Sequence, residues 1–317
     1  MDEKDPTQKG QELIDVDEKG KVDKKIEKKK EEPAQSFTHV LAIFLLLVLI
    51  GLFLKIFVFN KNTAKTKDFH KFKTADDMNR NAGEAIIRYV NQKPNARIGL
   101  ASGSTPEGLY KYLINKYEKG EVSFRDVQFF SIDGYCGLPK TDKNSYYYIL
   151  TNNFLKKTDA QEKNFHLINE EGNNIDDYKK NAEEYNKLLE KTPIDLQILS
   201  FGENGHIGFN EPDTDFDEPT HIVELTDEKR NEKKKIFGTI EATPKYAITQ
   251  GIKSILQAKE VFVLGKGKGK AEAINGLVNG VFTKKSPLSA LKNHPGKVTV
   301  YADEEAGSLV KEINKKF

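Results

Sequence analysis

The chain has 317 residues, of which 37% are hydrophobic and 31% are charged, and its formal net charge at pH 7 is +2. A chain of this size can bury the core of one sizeable α/β domain. Because Lys and Glu are interspersed and nearly balanced, nothing in the charge pattern indicates a surface for nucleic acid. The single cysteine, Cys136, excludes an intrachain disulfide framework and a cysteine-cluster metal site.

The first 59 residues differ sharply in composition from the rest of the chain. Residues 1–36 are rich in Lys, Glu and Asp and nearly devoid of apolar side chains, so we expect a disordered charged tail that cannot bury enough surface to offset chain entropy. Residues 37–59 carry no polar side chain between Val40 and Leu54. As a helix they would span about 34 Å, the thickness of a bilayer core. This segment predicts a single transmembrane helix.

A cleaved signal peptide is the alternative for residues 37–59. It fits poorly, because the charged region before the apolar run is long and no small-residue cleavage site follows it. Lysines flank the run on both sides, so the positive-inside rule assigns no orientation to it.

Residues 60–73 are basic and predict a flexible linker, and the folded domain is expected over 74–317, with Thr74 as a helix N-cap. Apolar runs then alternate with helical periodicity, which is typical of βαβ units whose helices cover both faces of a sheet. The sequence therefore predicts an α/β fold with a doubly wound, Rossmann-like, mainly parallel sheet. The candidate strands are 96–102, 127–133, 196–201, 260–264 and 298–301, and the candidate helices are 76–92, 106–118, 144–156, 176–190, 245–256 and 270–279.

Ligands of such sheets bind at the carboxyl ends of the strands, and three segments rich in reactive side chains lie there. The first is ASGSTP at 101–106. Gly103 permits a tight turn, and Ser104 and Thr105 place hydroxyl and backbone N–H groups at a helix start, which favours anions. A phosphate site and a plain helix cap are equally good interpretations of this segment alone.

The second segment is FFSIDGY, in which Asp133 ends an apolar strand. Partial burial there would raise the pKa of the carboxyl towards that of a working general base. The alternative is an ordinary turn formed with Gly134, and this segment by itself favours the turn.

The third segment is GENGHIGFNEP at 202–212. Its glycines let the backbone bend closely around a ligand, and His206 and Glu211 are two groups that could share a proton relay. It is a poor metal site, because no second His or Cys lies at ligand spacing. A glycine-rich loop with His, Asn and Glu at a strand end is more often a site than a structural loop.

Together these segments resemble the glucosamine-6-phosphate deaminase (isomerase) family. The resemblance runs in the same order from about Arg97 to Asp303, nearly all of the predicted folded domain. The matching stretches are GLASGSTPEGLYKYL, FSIDGYCGLPKTDKNSYYYIL, GENGHIGFNEP, ATPKYAITQGI and KGKAEAI. The related sugar-phosphate lactonases share the fold and a Gly-His loop, but they characteristically lack the FNEP that follows here.

The resemblance implies a hydrolase acting on a C–N bond, which converts glucosamine 6-phosphate to fructose 6-phosphate and ammonia without a metal or organic cofactor. Asp133 matches the general base that moves a proton from C2 to C1. His206 matches the group that helps to open the sugar ring, and Glu211 matches the carboxylate that orients this histidine. The positions that match the phosphate site are Gly103, Ser104, Thr105, Lys270 and, near the family's phosphate-binding arginine, Lys235.

The chain departs from the family pattern at three of these places. Asn204 stands where some members carry Asp, so a His206 relay would rest more heavily on Glu211. Gly134 follows the proposed base where the family usually has Glu. Lys235 keeps the charge of the arginine but gives up its bidentate geometry.

Two other functions remain open from the sequence: a related sugar-phosphate isomerase or 6-phosphogluconolactonase-like hydrolase, and a phosphosugar-binding module without turnover. The expected partners are an amino-sugar phosphate and, through residues 37–59, a membrane; a homo-oligomer is left open. Because phosphorylated sugars are cytosolic metabolites, the predicted localisation is a single-pass membrane protein with a cytoplasmic catalytic domain.

Overall fold

The computed structural model describes residues 66–317. The predicted charged tail (1–36), the predicted transmembrane segment (37–59) and residues 60–65 of the predicted linker lie outside the described residues. The strands are β1 (Lys67–Phe72), β2 (Arg97–Leu100), β3 (Gln128–Ser131), β4 (Asp133–Tyr135), β5 (Phe165–His166), β6 (Leu196–Leu199), β7 (His221–Glu224), β8 (Tyr246–Thr249), β9 (Glu260–Gly265), β10 (Lys297–Asp303) and β11 (Asn314–Lys316). The helices are α1 (Ala75–Gln92), α2 (Glu107–Glu118), α3 (Tyr146–Asn153), α4 (Ile175–Lys191), α5 (Asp227–Phe237), α6 (Ile252–Leu256) and α7 (Ala271–Val278).

Within the described residues the main sheet has eight strands in the order β11-β1-β10-β9-β6-β2-β3-β5. Every neighbouring pair is parallel except β1 and β11, which are antiparallel. A second sheet, β4-β8-β7, is antiparallel. The predicted α/β fold with a mainly parallel sheet is confirmed.

Helices cover both faces of the main sheet, because successive residues of a strand point to opposite sides. On β9, Val261 and Val263 pack into one apolar cluster with residues of α4, α6 and α7. Phe262 and Leu264 of the same strand pack into a second cluster with residues of α1 and α2. Strands buried on both faces are continuous apolar runs, which is why the sequence revealed them.

The predicted linker requires a correction, because residues 67–72 form β1. This strand pairs with β10 on one side and β11 on the other. Its composition is basic, but one apolar residue, Phe69, is fully buried in the core. The folded domain therefore begins before Thr74, whose side chain accepts the Asp77 N–H at 3.0 Å as the predicted N-cap of α1.

Two helix predictions also differ from the structure. The candidate helix 245–256 is in fact strand β8 followed by the short helix α6, because its apolar first half is needed between β4 and β7 in the small sheet. Helix α5 was not predicted. It has no buried residue, so its sequence lacks the apolar stripe by which most surface helices are recognised.

The predicted membrane localisation is corrected by the described part of the chain. No helix between residues 66 and 317 is both long and apolar enough to cross a bilayer. The longest described helix, α1, has 18 residues and buries only one face against the sheet, so its other face is polar. The apolar segment 37–59, on which the prediction rested, lies outside the described residues.

Candidate active site

Four neighbouring strands of the main sheet end at the same edge, and each is followed by one of the segments singled out above. The 101–106 loop follows β2, Asp133 follows β3, the 202–212 loop follows β6 and Lys270 follows β9. These segments line one cavity of about 730 Å³, a size that is typical of small-molecule sites. The parallel sheet thus brings together residues that are far apart in the chain.

Most of the predicted site residues face this cavity. Those that line it are Gly103, Ser104, Thr105, Asp133, His206, Glu211 and Lys270. Asn204 is not among the lining residues, but it contacts His206 directly. Within residues 66–317 no group of three or more His, Cys, Asp or Glu side chains is placed to hold a metal ion.

Asp133 is the first residue of β4 and is held by the small sheet, where it pairs with Thr249 of β8. It is 7% exposed, and the Ser102 hydroxyl donates a hydrogen bond to its Oδ1 at 3.0 Å. Burial raises the pKa of Asp133 to about 7, although the Ser102 hydrogen bond and the charge of Lys233 oppose the rise. A carboxyl with this pKa can take and return a proton near neutral pH.

The 202–212 loop approaches this carboxyl by its backbone. Gly208 has φ of +60°, and a Cβ there would lie 2.6 Å from Thr249 Oγ1 and 3.5 Å from Asp133 Oδ2. A side chain at this position would be strained and would crowd the proposed base. Glycine therefore lets the loop close over Asp133.

His206 is held by Asn204 in a defined tautomer. Asn204 Oδ1 lies 2.7 Å from His206 Nδ1 and accepts the His206 backbone N–H at 3.1 Å. Because that oxygen is an acceptor only, Nδ1 carries the ring proton and Nε2 keeps its lone pair. Burial lowers the pKa of His206, against the opposing pull of Glu211, so the ring is neutral at pH 7.

Glu211 reaches the imidazole through Asn204. The Asn204 amide donates to Glu211 Oε2 at 3.0 Å, whereas the direct distance from His206 Nδ1 to Glu211 Oε1 is 3.7 Å, too long for a hydrogen bond. Lys229 Nζ lies 3.3 Å from the same Glu211 oxygen. The expectation that a His206 relay rests more heavily on Glu211 is thus modified, because the Asn204 amide lies between the two side chains.

The loop at 103–105 and Lys270 give the cavity the features of an anion site. The first turn of α2 receives no hydrogen bond from a capping side chain, so the alternative of Ser104 and Thr105 as simple caps is not what the structure contains. Lys270 lines the same cavity, with its Nζ 5.7 Å from the centre of the Phe201 ring. Burial lowers the pKa of Lys270, and the charge of Glu203 opposes that shift.

Lys235 does not belong to this site. Lys229 and Lys233 of α5 line the cavity, whereas Lys235 is exposed. Residues 229 and 233 lie four apart on one helix face, and residue 235 is about 200° further round the helix than residue 233. Lys233, rather than Lys235, is therefore placed to present a cation to the cavity.

Sequence reasoning also missed the residues that frame Asp133. Ser102 lies in the ASGSTP segment but was not assigned a role, although its hydroxyl contacts the carboxyl. Tyr135 and Tyr146 form part of the cavity wall, with ring centres 5.2 Å apart. The signal for Tyr135 was its spacing of two from Asp133 in a strand, which places both side chains on one face.

Comparison with known proteins agrees with this architecture. The family model for glucosamine-6-phosphate isomerases/6-phosphogluconolactonase matches residues 70–300. A glucosamine-6-phosphate deaminase of Thermoanaerobacter pseudethanolicus is 41% identical over 236 residues, which cover 74% of this chain and 92% of the relative. Another of Shouchella clausii is 41% identical over 237 residues, covering 75% of this chain and 95% of the relative.

Solved structures show the same fold. A monomeric glucosamine-6-phosphate deaminase matches with a TM-score of 0.70 and 33% identity over 76% of this chain and 99% of its own. A 6-phosphogluconolactonase from Trypanosoma brucei matches with a TM-score of 0.63 over 76% of this chain and 98% of its own, at 19% identity, which supports the fold alone. This chain belongs to the family of glucosamine-6-phosphate isomerases and 6-phosphogluconolactonases, and within it the chain is similar to the glucosamine-6-phosphate deaminases.

Proposed function

We propose that this chain is an isomerising deaminase that converts glucosamine 6-phosphate and water to fructose 6-phosphate and ammonia. The observation that carries the proposal is the meeting of Asp133 and His206 in one cavity with the loop at 103–105. A buried carboxyl and a neutral imidazole suit a sugar that must be opened and then isomerised. The names of the relatives support the choice of substrate.

The phosphate group binds at the start of α2. The free backbone N–H groups of this helix, the hydroxyls of Ser104 and Thr105 and the ammonium groups of Lys270 and Lys233 all favour a dianion there. Because the phosphate is remote from the reacting carbons, its binding energy fixes C1 and C2 in front of Asp133 and His206.

Ring opening is the task of His206. Its Nε2 takes the proton of the C1 hydroxyl and returns a proton to the ring oxygen, so the bond from C1 to that oxygen breaks and C1 becomes an aldehyde. Asn204 keeps the other ring nitrogen protonated, so Nε2 is the atom that exchanges the proton.

Isomerisation is the task of Asp133. Its carboxylate removes the proton from C2, and the electron pair forms a double bond between C1 and C2. The same proton is then delivered to C1 while a proton from the nitrogen ends on the C1 oxygen, which leaves an imine at C2. Water adds to C2 and ammonia leaves, so the C–N bond is hydrolysed only after the double bond has moved. Isomerising deaminase therefore describes the reaction better than a general hydrolase class.

The test is ammonia release from glucosamine 6-phosphate by the purified full-length protein, with 6-phosphogluconolactone hydrolysis measured beside it. We expect ammonia release, lowered about 10³-fold by Asp133→Asn because a general base is lost. Asp126→Asn is the matched control, since Asp126 is exposed. Full activity of Asp133→Asn would remove Asp133 from its role, and lactone hydrolysis without ammonia release would favour a lactonase.

A further inference from the structure

The space behind the strand that carries Asp133 is filled by a carboxyl from another part of the chain. Asp133 and Tyr135 of β4 face the cavity, so Gly134 between them points the other way. A Cβ on Gly134 would lie 2.6 Å from Cγ, 2.7 Å from Cδ and 3.0 Å from Oε1 of Glu170. Glu170 therefore occupies the place that a side chain at position 134 would need.

The Glu170 carboxyl is enclosed by hydrogen-bond donors at the start of α3. It is 2% exposed. Its Oε1 accepts the Ser145 hydroxyl at 3.1 Å and the Tyr147 N–H at 2.8 Å, and its Oε2 accepts the Tyr146 N–H at 3.3 Å. These N–H groups belong to the first turn of a helix and have no partner within it. One side chain thus accepts three hydrogen bonds at the start of α3.

The same residue is also tied to the chain that leaves β4. The backbone carbonyl of Glu170 accepts the Gly137 N–H at 2.7 Å. Glu170 therefore contacts β4 from behind, the turn after β4, and the helix that carries Tyr146 into the cavity wall. A shift of this carboxyl would move the strand on which Asp133 stands.

We propose that Glu170 is a positioning residue, which sets the place of Asp133 by filling the space behind Gly134 and holding the first turn of α3. The inference rests on the proposed function for its catalytic meaning. A Cβ on Gly134 would lie 3.0 Å from Oε1 of Glu170. Within a single glutamate side chain, Cβ and a carboxyl oxygen are about this far apart, so a glutamate at position 134 could place its own carboxyl there. The buried carboxyl can be supplied from position 134 or from position 170, but not from both.

The experiment is an exchange of the two residues in the full-length protein. Gly134→Glu alone places two side chains in one space, and Glu170→Gly alone removes the acceptor of three hydrogen bonds. We expect each to lower kcat by about a hundredfold, the effect of a misplaced reacting group, and KM to change less because the phosphate end of the cavity is untouched. The double variant Gly134→Glu/Glu170→Gly should recover kcat to within about tenfold of the parent, an interaction of the size found between contacting residues.

Two further variants keep the test decisive if a single variant folds poorly. Glu170→Gln keeps the shape but offers one acceptor oxygen in place of two, so kcat should fall while the melting temperature falls less than in Glu170→Gly. The matched control is Glu171→Gln, because Glu171 is its exposed neighbour and should leave kcat unchanged.

A double variant no better than the weaker single variant would overturn the inference. Recovery of the melting temperature without recovery of kcat would also overturn it, because Glu170 would then only fill space. A parent protein that releases no ammonia would instead refute the proposed function, so the two failures are distinguishable.

Discussion

Two buried aspartates at opposite ends of the main sheet behave in opposite ways. Asp195 stands before β6 and is 1% exposed. Lys93 Nζ and Lys259 Nζ lie 2.6 and 2.7 Å from its carboxylate oxygens, and the Arg97 N–H donates to it at 2.9 Å. Asp133 stands after β3, at the cavity, with the Ser102 hydroxyl as its hydrogen-bond partner.

The two carboxyls titrate differently for this reason. Burial acts to raise the pKa of Asp195, but hydrogen bonds from Lys259 and Lys93 outweigh it, and its pKa lies below the ordinary value. Among residues 66–317 no cation forms an ion pair with Asp133, and burial raises its pKa to about 7. Burial thus raises the pKa of a carboxyl to a value useful in catalysis only where no nearby cation offsets the effect.

Replacing Asp133 should have the largest effect, and it should change activity and stability in opposite directions. Because the folded-state pKa of Asp133 lies above its ordinary value of 3.8, its contribution to stability is greatest below pH 4 and is lost as the pH rises through about 7. At pH 8 the buried charge costs up to about 4 kcal/mol. Asp133→Asn should therefore lose about 10³-fold in activity yet be more resistant to urea at pH 8, with a smaller advantage at pH 5. Equal or lower resistance at pH 8 would contradict this account of Asp133.

Replacing the paired carboxyl should do the reverse. Asp195→Asn leaves two lysines without their partner, but both are partly exposed and can regain water, so we expect a loss of about 2 kcal/mol in the free energy of unfolding. Since the pKa of Asp195 is lowered, its stabilisation is present above the ordinary value and is lost as the pH falls through the folded-state pKa. Urea unfolding at pH 7 measures the loss, and kcat/KM of the folded variant should match the parent. A large fall in kcat/KM would show that the two ends of the sheet are coupled.

Lys233 is the cation whose charge acts on Asp133, and its replacement tests the comparison further. The charge of Lys233 lowers the pKa of Asp133, and Lys233 lines the cavity in which the phosphate is proposed to bind. Lys233→Ala should raise KM about tenfold, the value of one charge-assisted contact, and move the acid limb of the pH–rate profile to higher pH. Lys235→Ala is the matched control on the exposed side of α5. Equal effects of the two variants would argue against the assignment of Lys233.

The smallest effect is expected from the hydroxyl beside Asp133. The Ser102 hydrogen bond lowers the pKa of Asp133, so Ser102→Ala should shift the acid limb, which lies near pH 7, to higher pH while activity on the alkaline side is retained. The profile of kcat/KM against pH, which reports groups of the free enzyme, measures the shift. An unchanged or lower limb would mean that another group controls the rate.

The five strands proposed from apolar runs correspond to β2, β3, β6, β9 and β10, since parallel strands covered on both faces have little room for polar residues. The elements that were missed lack this signal. β1 is a basic segment with a single fully buried anchor, Phe69, and α5 buries nothing. Likewise, nothing local to Lys233 or Lys235 says which of them faces the cavity, because that depends on how the helix is docked.

By itself the sequence determined five parallel strands of the main sheet and the three segments at strand ends, because these follow from local apolar patterning and from the rule that parallel strands end at one edge. Only the tertiary structure decided which groups stand alone and which are paired. Asp133 and Asp195 are both acids beside apolar runs in the chain, and Glu170 carries no local sign of its place behind Gly134. A carboxyl's charge and role depend on the neighbours that the fold brings to it.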